Sequence, residues 1–158
     1  MVQPRRRTQR PDPPPRPHGL ALGFMQELWG LVHALDVRSK RMAQTLGVTG
    51  PQRLVIRIVG LRADQTASEI AATLGMHPST LTGILSRLEA RNAIVRATDA
   101  DDRRRARFRL TATGRRIDKE RRGTVEAAVR RVLGRAAPAS VAHTERLLRM
   151  LAAELERD

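Results

Sequence analysis

Residues 66–91 read TASEIAATLGMHPSTLTGILSRLEAR, and the fold follows from how this stretch divides. Thr66 and Glu69 stand at capping-box spacing: a hydroxyl accepts from the amide three residues on while the glutamate reaches back, so a short helix opens here. It closes at Gly75, a residue free to take left-handed backbone. Pro78 starts a second helix at the position where a missing N–H costs nothing, and Asn92 after Arg91 suits a left-handed cap. Between the helices, Gly75-Met76-His77 leaves room only for a tight turn. Ala71 is small where the helices cross, and Ile70, Leu74, Met76, Leu81 and Ile84 fall where crossed helices need apolar contacts. That is the spacing of a helix-turn-helix, whose second helix enters the major groove of DNA.

The second helix, 78–91, has an apolar face of Leu81, Ile84, Leu85 and Leu88. The opposite and flanking positions are Ser79, Thr80, Thr82, Gly83, Ser86 and Arg87, which are small or hydrogen-bonding. A surface that approaches base edges closely has this composition. Gly83 costs about 1 kcal/mol against alanine in a helix interior, so its presence on this face points to close approach. Plain solvent exposure is the alternative for each of these positions.

Downstream the periodicity changes. Ile94-Val95-Arg96 reads as one strand, and Arg107-Phe108-Arg109-Leu110 alternates as a half-buried strand does. They form a two-stranded hairpin, or wing, over 97–107, with Asp99, Asp101, Asp102, Arg103, Arg104 and Arg105 at its tip. Arginines on a projecting loop suit a narrow, electronegative minor groove. Asp99 and Asp102 make sense there as carboxylates that hold a guanidinium fork in place. The alternative is a solvated, salt-laced turn.

The flanks are helical. Leu20, Phe24, Leu28, Leu31, Leu35 and Met42 recur mostly every three or four residues, widened by Met25, Trp29 and Val32, in a helix ending near Leu46 and Gly47. One wide apolar stripe on so long a helix suggests an intersubunit role. Thr49 and Gln52 form a second capping box, opening a helix that buries Leu54, Val55, Ile58, Val59 and Leu61. Thr111 caps a helix expected over 112–135, carrying Ile117, Val125, Val129 and Val132. Ala136-Ala137-Pro138 breaks it. A last helix, about 139–157, is expected to bury Val141, Leu147, Leu148, Leu151 and Leu155.

Composition bounds the function. The chain of 158 residues has 30 Lys+Arg against 16 Asp+Glu, a net charge of +14, and only Lys40 and Lys119 are lysines. An arginine excess points to polyanions, because guanidinium matches phosphate geometry. Six prolines and five arginines crowd residues 1–18, a basic arm expected to be disordered. Cysteine and tyrosine are absent, which excludes disulfides and thiol chemistry and leaves Phe24, Trp29 and Phe108 as the only aromatics, too few for stacking single-stranded nucleic acid. No apolar run reaches the ~18 residues of a membrane span, so a cytoplasmic protein is expected. His18, His33, His77 and His143 are scattered, with only His33 and Asp36 near ligand spacing, so no metal site and no cofactor is expected. There is no Gly-rich phosphate loop and no Gly-x-Ser-x-Gly elbow, so an enzyme is not expected.

Residues 20–157 resemble the MarR-type winged-helix transcriptional regulators. The resemblance rests on the helix-turn-helix, on Leu88-Glu89-Ala90-Arg91-Asn92-Ala93-Ile94-Val95, on the Asp-x-x-Asp-x-Arg pattern met by Asp99, Asp102 and Arg104, and on Leu110-Thr111-Ala112-Thr113-Gly114. The family's usual glycine after the recognition helix is Asn92 here. The resemblance implies a mainly α winged helix-turn-helix fold. Dimerisation helices would lie at 19–48 and 112–158, with a DNA-binding lobe at 49–111 between them. It implies a homodimer on a palindromic double-stranded operator, associated with the nucleoid, with Arg104 in the minor groove and Asp102 as its holder. It also implies a repressor responsive to a small aromatic or anionic effector in a cleft bordered by Trp29, His33, Arg53 and Arg57. The arm at 1–18 lies outside it. The competing reading is an architectural DNA-binding protein of low specificity, which the +14 charge and the basic arm favour.

Overall fold

The computed structural model describes residues 19–98 and 106–157. The wing-tip residues Asp99 to Arg105 and the arm at 1–18 lie outside the described residues. The chain divides into two compact units, one up to Ala34 and one from Leu35 onward. Helix α1 (Gly19–Leu46) runs through the boundary between them. The part of α1 in the first unit exposes Leu20, Leu22, Met25, Trp29, Leu31 and Val32.

In the second unit, helix α2 (Gly50–Leu61) begins at the foreseen capping box. The Thr49 hydroxyl accepts from the Gln52 amide, and the Gln52 side chain accepts from the Thr49 amide at 3.0 Å. Its buried face differs from expectation. Val55, Ile56 and Val59 are buried, whereas Leu54 and Leu61 are exposed, because the helix is rotated to turn Gln52, Arg53 and Ile56 inward. Helices α3 (Ala67–Leu74) and α4 (Pro78–Ala90) form the helix-turn-helix. Thr66 and Glu69 cap α3 reciprocally, and Gly75 ends it at φ 59°, in the left-handed region. Asn92 follows α4 at φ 50°, as its side chain permits.

The sheet has three strands, not two. Strands β2 (Ile94–Thr98) and β3 (Ala106–Leu110) pair antiparallel with Ile94 opposite Leu110, and β1 (Gln65–Thr66) adds to the other edge of β3, Gln65 opposite Phe108. Two residues carry no readable alternation, which is why β1 does not show in the sequence. Asp64, at φ 63°, turns the chain into it, and the buried Gln65 amide donates to the carbonyls of Ile58 and Arg62 at the end of α2. Val55, Ile56, Val59, Ile70, Leu81, Leu85, Leu88, Ile94 and Phe108 meet in one core between the helices and the sheet.

The helix expected over 112–135 is two helices, α5 (Ala112–Lys119) and α6 (Val125–Leu133). Thr111 caps α5 by accepting from the Gly114 amide at 3.1 Å. Gly114 lies so close to the Ala93 carbonyl that a Cβ there would sit 1.9 Å from its oxygen. The chain leaves the helix at Glu120, which is extended, and passes Gly123 at φ 70°. Thr124 caps α6 by accepting from the Ala127 amide at 3.2 Å. Apolar residues on both sides of the break mimic one continuous stripe, so the interruption is hidden from periodicity alone. Helix α7 (Pro138–Leu155) follows, and neither α6 nor α7 buries a residue within the chain. The buried face expected of the last helix is not formed there, since Leu147, Leu148 and Leu155 are exposed and Val141 and Leu151 only half-buried.

Candidate nucleic-acid interface

Helix α4 packs its apolar face completely: Leu81 and Leu88 are 0% exposed, Leu85 4% and Ile84 6%. That fixes the rotation of the helix. Ser79, Thr80, Thr82, Ser86 and Arg87 are exposed as a result, and Gly83 is half-buried. The six positions singled out from the sequence are thus brought together on the outward surface of one helix.

The helix start contains a feature the sequence reading missed. His77, extended, is the N-cap; its Nδ1 accepts from the Ser79 amide at 3.4 Å and lies 2.8 Å from the Ser79 Oγ. The usual caps are Ser, Thr, Asp and Asn, so a histidine before Pro78 gives little signal. The Thr82 hydroxyl donates to the Pro78 carbonyl at 2.9 Å, which leaves its oxygen as an outward acceptor. An ideal Cβ built on Gly83 meets nothing within 4 Å. The packing of the chain therefore gives no reason for a glycine at that position.

A groove of about 710 Å³ runs between α4, the start of α3 and the sheet. Thr82, Ser86 and Glu89 line one side, with Arg96 and Arg107 on the strands. These two arginines were not singled out from the sequence, although their place on the strands leading to the wing tip was legible. Arg107 donates to the Asp64 carbonyl at 2.8 Å. Arg109 pairs with both Asp64 carboxylate oxygens, and this hydrogen-bonded guanidinium holds the Asp64 carboxyl below its usual range. Glu69 is also lowered, chiefly by the Thr66 amide that it caps. Asp99, Asp102, Arg103, Arg104 and Arg105, assigned to minor-groove contact and its support, lie outside the described residues.

The residues assigned to an effector cleft fare differently. Trp29 and His33 are exposed on α1. Arg53 is 1% exposed, and its guanidinium donates four hydrogen bonds, to Glu126 and to the carbonyls of Ile117, Asp118 and Glu120. Arg57 pairs with Asp118 at 2.7 Å. Both arginines thus serve the packing of α2 on the α5–α6 joint, and neither offers an unengaged cation to a ligand. Among the described residues no group of three His, Cys, Asp or Glu could hold a metal ion, and no helix is long and apolar enough to cross a membrane.

Residues 46–105, which contain α2, the helix-turn-helix and the first strand of the wing, match the model of the MarR family. An HTH-type transcriptional repressor of Mycobacterium tuberculosis is 28% identical over 109 residues, covering 69% of this chain and 78% of the repressor. In three dimensions the chain is similar to CouR from Rhodococcus jostii RHA1 bound to p-coumaroyl-CoA, with TM-score 0.65, 25% identity and coverage of 84% of this chain and 92% of CouR. It is also similar in fold to S. aureus MepR in a DNA complex, with TM-score 0.68 and 16% identity over 87% of this chain and all of MepR.

Proposed function

We propose that the chain is a winged helix-turn-helix regulator of the MarR family, whose model matches residues 46–105, and that it is a dimeric, site-specific DNA-binding transcriptional repressor responsive to a small aromatic or anionic effector. The observation that carries this reading is the outward face of α4. Four buried apolar residues anchor the helix, and its opposite face carries hydroxyls, a glycine with empty space above it and an arginine, with Glu89 half-buried beside them. Such a face fits the major groove, where donors and acceptors distinguish base pairs. Ser79, Thr80, Thr82, Ser86 and Arg87 contact bases or flanking phosphates, and Gly83 lets the helix backbone approach. Arg103, Arg104 and Arg105 enter the minor groove, with Asp99 and Asp102 orienting them.

Self-association is supported by the apolar surface of α6 and α7. Val129, Val132, Leu133, Leu147, Leu148 and Met150 are 43–66% exposed, on helices with no buried residue. Amphipathic helices acquire a core by pairing, and a dimer supplies one. The exposed apolar residues of α1 are a second such surface. The domain division follows: dimerisation helices at 19–48 and 112–158, and a DNA-binding lobe at 49–111. Effector response is supported by likeness to a ligand-bound regulator, with the exposed Trp29 and His33 as candidate contacts. The protein acts in the cytoplasm, at the nucleoid.

The test is selection of tight binders by the purified full chain from a pool of randomised duplexes. Enrichment of a palindromic sequence supports the proposal. A pool that stays random after repeated rounds, while binding the protein, instead supports an architectural role driven by the +14 charge.

A further inference from the structure

Arg53 is a 1%-exposed arginine on α2, inside the lobe that carries the recognition helix. Its Nε donates to Glu126 Oε1 at 3.0 Å, its Nη1 to the Ile117 carbonyl, and its Nη2 to the carbonyls of Asp118 at 3.2 Å and Glu120 at 2.6 Å. One guanidinium therefore caps the last carbonyls of α5 and holds a carboxylate in the first turn of α6. It spans the break that divides what the sequence suggests is one long helix. Helices α6 and α7 bury no residue, so the direction in which they leave the lobe is set at this joint. Arg53 acts there beside the buried Thr124, whose hydroxyl donates to the Arg121 carbonyl at 3.1 Å, and Glu120 Oε1, which accepts from the Arg121 and Arg122 amides.

The pair is poorly built for stability alone. Glu126 Oε2 is buried and has no hydrogen-bond partner among the described residues. An ion pair whose guanidinium and one carboxylate oxygen are buried, that oxygen unanswered, gives back much of its Coulombic gain to desolvation and is weak evidence of stabilisation. We propose that Arg53, acting through Glu126, is a positioning residue for DNA recognition. It locks the angle of the α5–α6 joint, and through the dimer helices it sets the separation of the two recognition helices. This inference rests on the dimeric DNA-binding reading above.

The chain has no cysteine, so Ala72→Cys on α3 and Arg130→Cys on α6 provide two unique, exposed spin-label sites. Labelled full chain, diluted into unlabelled protein, should give one narrow intrachain distance by pulsed electron resonance. Glu126→Ala should broaden that distribution with helicity unchanged. Arg57→Gln, which removes the neighbouring pair to Asp118 on α5 and leaves the α6 contact in place, should not. The functional readout is half-site spacing on the selected duplex. Inserting one base pair turns one half-site by about a tenth of a turn. Wild type should lose affinity about tenfold or more, and Glu126→Ala less than about threefold. A wild-type distance distribution in Glu126→Ala, or equal broadening in Arg57→Gln, overturns the proposal. A pool with no enriched duplex, alongside a distance broadened only by Glu126→Ala, removes the site-specific reading and leaves the joint lock standing.

Discussion

Gly83→Ala separates folding from recognition, because the two respond with opposite sign. A glycine in a helix interior costs roughly 0.5–1 kcal/mol against alanine, through backbone entropy. A Cβ added at Gly83 meets no atom within 4 Å, so nothing in the protein offsets that gain. The variant should therefore be more stable by about 0.5–1 kcal/mol. For a chain of this size that raises Tm by about 2–4 °C per kcal/mol. Protein concentration must be held fixed, since a dimer's Tm depends on it. On DNA the same methyl group projects from the face presented to the groove. If the helix backbone approaches the bases there, specific affinity should fall about tenfold or more, comparable to one mismatched base pair at ~1–3 kcal/mol. The assays are differential scanning calorimetry and anisotropy titration on the selected duplex at fixed salt. A loss of affinity with raised Tm cannot come from unfolding. Raised Tm with unchanged affinity would refute the close-approach argument, and lowered Tm would refute the open space over Gly83.

Gly114→Ala should act in the opposite direction on stability. Its Cβ would lie 1.9 Å from the Ala93 carbonyl oxygen, so α5 must shift, and a loss of about 3 kcal/mol or more should appear in denaturant titration. Arg104→Ala should weaken DNA binding and flatten its salt dependence by about one counterion while leaving Tm unchanged, as binding isotherms across a salt series will show. Leu147→Glu with Leu151→Glu should yield folded monomer by sedimentation; a persistent dimer would place the interface elsewhere. Glu69 is held below the usual carboxylate range in the folded chain by the Thr66 amide. Its stabilising contribution is present above the unfolded value of about 4.3 and disappears as pH falls through the lowered folded value. Glu69→Gln should therefore flatten the acid limb of stability against pH.

The helix-turn-helix was legible because its punctuation is chemical. Thr66 with Glu69, Gly75, Pro78 and Asn92 each permit or require one backbone state, and all four boundaries stand where those residues put them. The buried face of α4 was equally legible, since four leucine and isoleucine positions at helical spacing leave one way to orient the helix. The break at 120–124 was missed because Val125 and Val129 continue the periodicity of Ile117 and mask the local signal of Gly123 and the Thr124 cap. Arg53 of a distant helix, which caps the α5 carbonyls, adds a contact that no local pattern shows. The same blindness explains the cleft. A lone arginine on α2 reads as an available cation until its long-range partner Glu126 is known. Strand β1 escaped because two residues are too few to carry a pattern, and His77 because an imidazole cap is rare. Long-range ion pairs and the shortest elements are thus what local chemistry in the sequence does not encode.

The central claim is site-specific recognition of duplex DNA through α4. It is tested most directly by anisotropy at ~150 mM salt, near physiological ionic strength. One probe is the intergenic DNA beside the protein's own gene together with the duplex enriched by selection; the other is a scrambled duplex of equal length and composition. The account predicts a preference on the order of a thousandfold for a cognate duplex. Equal affinity for the scrambled duplex, falling steeply and in parallel as salt is added, would contradict it.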